Sequence, residues 1–314
     1  MLINIQDDIK RLHYNKLLDG LLADKTTKKN IMWATDAYSS YGPEYQRDKE
    51  MQTRLLTGWN GEIIQPRALK AMAQQSERTR QHAEVFTPKW ICAKMIDYAD
   101  TVWFGQENVF FHDSIPTEHI EFPEGKTWQQ YVDSCRLEIT CGEAPYLMSR
   151  YDVATGESIP IPERIGILDR KLRVVTENTT TEEEWLHWAR RAFEATYGYE
   201  FQGDNLLIAR INFVATFEEY LQNQWHRTPT PTEYSNIARI AVWNLWQMDG
   251  LSYTIPYSKA EEETYQYNIM TDLLGLPTLQ AEPDKQPYCH IYDWRSKIDI
   301  EFRSLRKGAW GNEV

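Results

Sequence analysis

Three acids, Glu138, Glu200 and Asp249, are the residues whose placement first points to chemistry. Each closes a short apolar or aromatic run, and each is followed within a few residues by glycine. The three segments are Leu137-Glu138-Ile139-Thr140-Cys141-Gly142, Tyr199-Glu200-Phe201-Gln202-Gly203 and Gln247-Met248-Asp249-Gly250. Carboxylates so placed accept charge-assisted hydrogen bonds from hydroxyl and amine donors, and a glycine turn lets a ligand approach the backbone. Singly each signal is weak, since Asp-Gly is a common turn dipeptide. Converging from three segments on one sheet edge, they would form a polar cleft beyond the carboxyl ends of parallel strands.

The elements that must present these acids are legible from periodicity. Ile9, Leu12, Leu17, Leu18, Leu21 and Leu22 recur at roughly helical spacing, and a second helical stretch runs over 66–80, so residues 1–80 read as a helical appendage. Residues 81–314 read as an α/β domain. Thr87 is suited to cap, and Pro88 to open, a helix over 89–99. Glycines and prolines mark irregular insertions over 105–134 and 151–166. Between and after them the pattern predicts a strand over 136–139, helices over 166–176 and 181–196, and a strand over 199–201. Helices over 204–222 and 232–243 follow, then strands over 244–251 and 288–294. Strands alternating with helices argue a parallel sheet.

Read in order, four segments resemble a known family. Glu84-Val85-Phe86-Thr87-Pro88, the run from Leu137 to Gly142, Tyr197-Gly198-Tyr199-Glu200-Phe201-Gln202-Gly203-Asp204-Asn205 and Gln247-Met248-Asp249-Gly250-Leu251 are similar to the modification subunits of restriction systems. Those are adenine-specific DNA methyltransferases of the class I fold that use S-adenosylmethionine. The resemblance spans about residues 80–305 and includes Leu168-Asp169-Arg170-Lys171-Leu172 and Asp293-Trp294. It implies a Rossmann-like sheet, S-adenosylmethionine as cofactor, and DNA methylation in a restriction-modification or phage setting. It also implies roles for residues. Phe86, Thr87 and Pro88 match the segment lining the methionine end of the cofactor. Glu138, Thr140, Cys141 and Gly142 match the turn around its methionine and ribose. Glu200 matches the acid on the ribose hydroxyls, and Asp249 the acid that accepts from the adenine amine.

Two departures qualify the implied activity. Ile139 stands where the family has proline and Ala144 where it has a second glycine, which removes φ freedom from the turn. The family's Asn/Asp-Pro-Pro-aromatic tetrapeptide, which holds the target amine and stacks on a flipped base, occurs nowhere in the 314 residues. Ile255-Pro256-Tyr257 follows Asp249 too closely to replace it, and Asp293 with Trp294 offers an acid and a ring without the prolines. A complete class I sheet has seven strands, of which about four are legible, so the sheet is expected to be incomplete at its C-terminal side. A second polypeptide completing it, or the N-terminal helices covering its edge, are the alternatives. The competing functional reading is a catalytically silent methyltransferase-fold scaffold that binds cofactor or a protein partner.

Composition limits the partners. A hydrophobic fraction of 42% supports a sizeable core, while the formal charge of −12 opposes nucleic-acid binding by the bulk surface. DNA contact then requires a local basic patch, for which Arg295, Lys297, Arg303, Arg306 and Lys307 are candidates, or a partner subunit; a homo-oligomer is also compatible. The four cysteines, Cys92, Cys135, Cys141 and Cys289, show neither metal-ligand nor disulfide spacing and read as thiols of a reducing compartment. No apolar run approaches the ~20 residues of a membrane span, and the N-terminus lacks signal-peptide character. A cytoplasmic address is the expectation. Asp113 with Glu124-Gly125-Lys126 superficially matches a nuclease metal site, but Pro123 and Gly125 place it in a loop rather than on the rigid strand that chemistry needs.

Overall fold

The computed structural model describes residues 1–58, 62–70, 87–258 and 288–305. Phe86, Arg306, Lys307 and most of the helix expected over 66–80 lie outside these residues. Near the N-terminus, helix α1 (Ile5–Tyr14) starts at Asn4, whose side chain accepts from the backbone of Gln6, and buries Ile5, Ile9 and Leu12. The short helices α2 (Leu18–Leu22) and α3 (Thr53–Thr57) add Leu21, Leu22, Leu55 and Leu56 to the same interior. Helix α4 (Lys89–Phe104) runs a full turn beyond its expected end and stops where Gly105 turns left-handed at φ 77°. Pro88, not Thr87, occupies its cap position, and no side chain caps it.

The expected insertion holds a two-residue hairpin, β1 (Phe111–His112) with β2 (Ile115–Pro116), and helix α5 (Trp128–Val132), capped by a Thr127–Gln130 box. The sheet then forms as strands alternate with helix pairs. Strand β3 (Arg136–Glu138) leads to α6 (Ile167–Asn178) and α7 (Glu182–Glu194), β4 (Thr196–Glu200) to α8 (Gly203–Trp225) and α9 (Pro231–Asn244), and β5 (Leu245–Gln247) follows. Local signals fix several boundaries: Thr181 caps α7, and Thr230, Pro231 and Glu233 form a capping box with proline in the first turn of α9.

The three strands are parallel and sequential in order, with Glu138 opposite Gly198 and Glu200 opposite Gln247. The chain is thus a mixed helical and sheet protein with a small parallel sheet. Strand order does not reverse within that sheet. The strand expected over 288–294 is also relocated: β6 (His290–Asp293) pairs antiparallel with β7 (Ile298–Glu301) and with no strand of the parallel sheet. Cys289, Ile291, Tyr199, Trp246 and Met248 form a small cluster joining this hairpin to the sheet.

One continuous hydrophobic core extends from Ile5 to Trp294, so residues 1–58 pack directly on the helices and sheet. Arg210, fully buried on α8, donates to the carbonyls of Leu21, Ala23, Val242 and Leu245 and so ties the N-terminal segment to the start of β5. At the other end of the sheet, Gly203 donates to Trp33 O at 2.9 Å, and the Gln247 amide both accepts from Met32 N and donates to Met32 O. A Cβ at Gly203 would lie 2.0 Å from Met32 O, so only glycine admits the crossing.

Candidate functional site

The turn after β3 is the structural centre of the site. Thr140, Gly142 and Ala144 adopt positive φ values of 49°, 56° and 63°, so the chain reverses sharply. Cys141 N donates to Tyr199 O at 2.8 Å and Ala144 N to Cys141 O at 2.7 Å, which pins the turn to β4. Ala144 takes up the left-handed conformation that glycine would adopt freely, at a cost on the order of 1 kcal/mol. Nothing lies within 4 Å of where a Cβ on Gly142 would stand, so this part of the turn faces open space.

That space is a cavity of about 670 Å³ beyond the carboxyl ends of β3 and β4. Its floor is the turn itself, Glu138 to Glu143. The segment Glu200 to Gln202 with Asn205 forms one wall, and Thr87 with Met95, Ile96 and Ala99 of α4 forms another. Arg67, supplied by a short 3-10 turn, completes the lining. It is held there because its backbone N–H donates to Glu143 Oε1 at 2.6 Å, while Tyr151 OH donates to the other oxygen of that carboxylate.

The two acids differ in their engagement. Glu200, 6% exposed, accepts from Gly142 N at 2.9 Å and Gln202 N at 3.0 Å, locking the turn to the end of β4. Glu138 keeps one buried carboxylate oxygen, Oε2, without a hydrogen-bond partner. Its pKa stands well above the carboxylate range, first through burial and then through the neighbouring Glu200 charge, against which the backbone N–H groups of Leu147 and Tyr146 act. Burial and the same two carboxylates push the Cys141 thiol up, so it is a packing group rather than a nucleophile. Its sulfur would lie 3.1 Å from a Cβ on Gly198, which explains the glycine in β4.

Of the residues singled out from sequence, Thr87, Glu138, Thr140, Cys141, Gly142 and Glu200 line this one cavity, and Pro88 is at the start of the adjoining helix. Asp249 does not line it. Asp249 Oδ1 accepts from Leu251 N at 2.9 Å, and its backbone pairs with Thr254 and Tyr253, so the acid organises its own turn. Met32, Trp33 and the Gln247 side chain lie at the β4–β5 ends.

Asp293 and Trp294 are likewise structural. Asp293 accepts from Ser296 and from the backbone of Arg295, which holds its pKa below the usual range. The Trp294 indole donates to Asn244 Oδ1 at 2.7 Å, and Asn244 Nδ2 in turn donates to Phe193, Glu194 and Thr196 carbonyls. Both residues anchor the β6–β7 hairpin and neither lines the cavity. The candidate basic tail is partly neutralised, since Arg295 pairs with Asp133 and Arg303 with Glu301. Asp113 sits exposed in the β1–β2 turn, and Lys126 donates to Trp103 O.

Sequence reasoning missed Arg67, Tyr146, Phe201 and Asn205. Tyr146 OH donates to Met95 Sδ at 3.1 Å, joining the turn to α4. Phe201 packs edge-on against Tyr257 at 5.5 Å. Phe201 and Asn205 adjoin Glu200 in sequence, a proximity that could have flagged them; nothing in the residues around Arg67 signals a site so far along the chain. Comparison of the chain with family models, with characterised proteins and with solved structures finds no match.

Proposed function

We propose that the cavity binds S-adenosylmethionine and that the chain is a DNA adenine methyltransferase-like protein of a restriction-modification or phage system. The observation that carries this reading is the Glu138 oxygen that has no hydrogen-bond partner among the described residues, beside Glu200 under a left-handed turn, with Arg67 in the same lining. Such a lining calls for a ligand that carries both positive and negative charge together with hydroxyl donors. Glu138 would hold the ammonium and face the sulfonium, Arg67 would hold the carboxylate, and Glu200 would accept from a ribose hydroxyl. Ile139 and Phe201 add apolar surface. The volume falls in the range of cofactor pockets, about 300 to 1,000 Å³.

The cofactor would supply an electrophilic methyl group; this chain's residues would orient it, and its positive charge would favour the ionised form of Glu138. Positioning of the target amine falls to residues outside this lining, since the tetrapeptide that does so in the resembling family is absent from the 314 residues. That same absence favours a second reading, a cofactor-binding scaffold that is catalytically silent without a partner. Transfer of a labelled methyl group to DNA, with and without co-expressed partners, separates the two. Glu138→Gln should weaken S-adenosylmethionine binding by about 1.5 to 3 kcal/mol, the worth of a hydrogen bond to a charged group.

A further inference from the structure

Outside the cavity, cations collect on one surface of this acidic chain. Lys25 and Lys28, in the turn after α2, stand with Nζ 5.7 and 5.9 Å from the centroid of the Trp243 ring. Arg239, one turn before Trp243 on α9, lays its guanidinium over Trp294 at 4.9 Å. None of the three is in an ion pair among the described residues. Asp24 accepts from Thr27 N at 2.9 Å and Thr27 Oγ1 at 2.6 Å and forms no ion pair with these cations. Burial first, and then Lys28, Arg210 and Arg239, lower the Lys25 pKa, and the Asp24 carboxylate, which acts against them, is outweighed.

We propose that Lys25, Lys28 and Arg239 form a phosphate-binding surface for the backbone of a nucleic acid. Like charges held together with no ion-pair partner among the described residues are relieved by an anion. Lys28, in the turn after α2, and Arg239, on α9, are both exposed, and α2 packs against α9; donors spread over an open surface suit a chain of phosphates better than a single ion. The Arg239 guanidinium, set against the Trp294 indole, carries the paired N–H donors that match phosphate oxygens. This inference stands on the cation cluster and is independent of what the cavity binds.

The test is fluorescence anisotropy of the full chain with a labelled duplex of mixed sequence, titrated with potassium chloride. Three phosphate contacts predict an affinity loss of about 40-fold between roughly 50 and 200 mM salt, and a log–log slope smaller by about 0.9 for each cation removed. The triple variant Lys25→Ala/Lys28→Ala/Arg239→Ala, its fold checked by circular dichroism, should lose this dependence; the single exposed change Lys28→Glu tests the same point if the triple variant does not fold. Unchanged binding by a folded variant, no binding at low salt, or a polyglutamate peptide bound as tightly as DNA would each overturn the proposal.

Discussion

Lys171 offers a quantitative test of the packing because it is a buried ammonium with only carbonyl partners. It is fully buried on α6 and donates to Ser134 O at 2.6 Å and Ala195 O at 3.0 Å, carbonyls within two residues of the starts of β3 and β4. Burial first, then the charge of Arg136, lowers its pKa from 10.5 to about 7. Between those values the unfolded chain holds a proton that the folded chain has released, so stability contributed by this group rises with pH across that window. A gap of about 3.5 pH units at about 1.36 kcal/mol each sets an upper limit on the order of 5 kcal/mol. The perturbation is Lys171→Met, which keeps length and removes the charge. Urea unfolding of both proteins from pH 6 to 10 gives a difference curve that cancels the buried cysteines and tyrosines, which titrate in the opposite sense. Wild type should gain on the variant by several kcal/mol over that range; a flat difference would refute the assignment of a neutralising lysine at the strand entrances.

Other outcomes follow from single contacts. Ala144→Gly relieves a left-handed alanine at φ 63° but loosens the unfolded chain, and should stabilise by up to about 1 kcal/mol in thermal unfolding. Gly203→Ala drives a Cβ into Met32 O and should cost about 3 kcal/mol, read by the urea midpoint. Arg210→Met leaves four buried carbonyls without their donor and should destabilise by at least about 3 kcal/mol by the same assay. S-adenosylmethionine affinity should climb with pH from the ordinary carboxylate range up to the raised Glu138 pKa, with proton release on binding, because a cationic ligand favours the ionised carboxylate. Calorimetry in buffers of different ionisation enthalpy measures that release.

The parts of the fold that were legible in the sequence are those fixed by neighbours along the chain. Thr181 and the acids after it announce their helix because capping is a contact over three residues, whereas the Thr230–Glu233 box, which opens α9 at Pro231, went unread and the helix was expected from periodicity over 232–243. The run ending at Glu138 and the one ending at Glu200 announced strands because both feed glycine turns. Asp249 misled because an Asp-Gly turn is satisfied locally, by the Leu251 amide, before any ligand is needed. The β6 run misled because alternation gives a strand but not its partner; the pairing with β7 depends on the Asp293–Ser296 turn and on Asn244 holding Trp294. Arg67 was invisible since its place in the cavity depends on Glu143, far away in sequence.

The central claim, that the turn after β3 holds S-adenosylmethionine, is tested most directly by titrating the folded full chain with that molecule in a calorimeter, beside Glu138→Gln. The account predicts saturable binding with one molecule per chain, weakened about 10- to 150-fold in the variant. No heat of binding by folded wild type at several temperatures, or equal affinity in the variant, would contradict it.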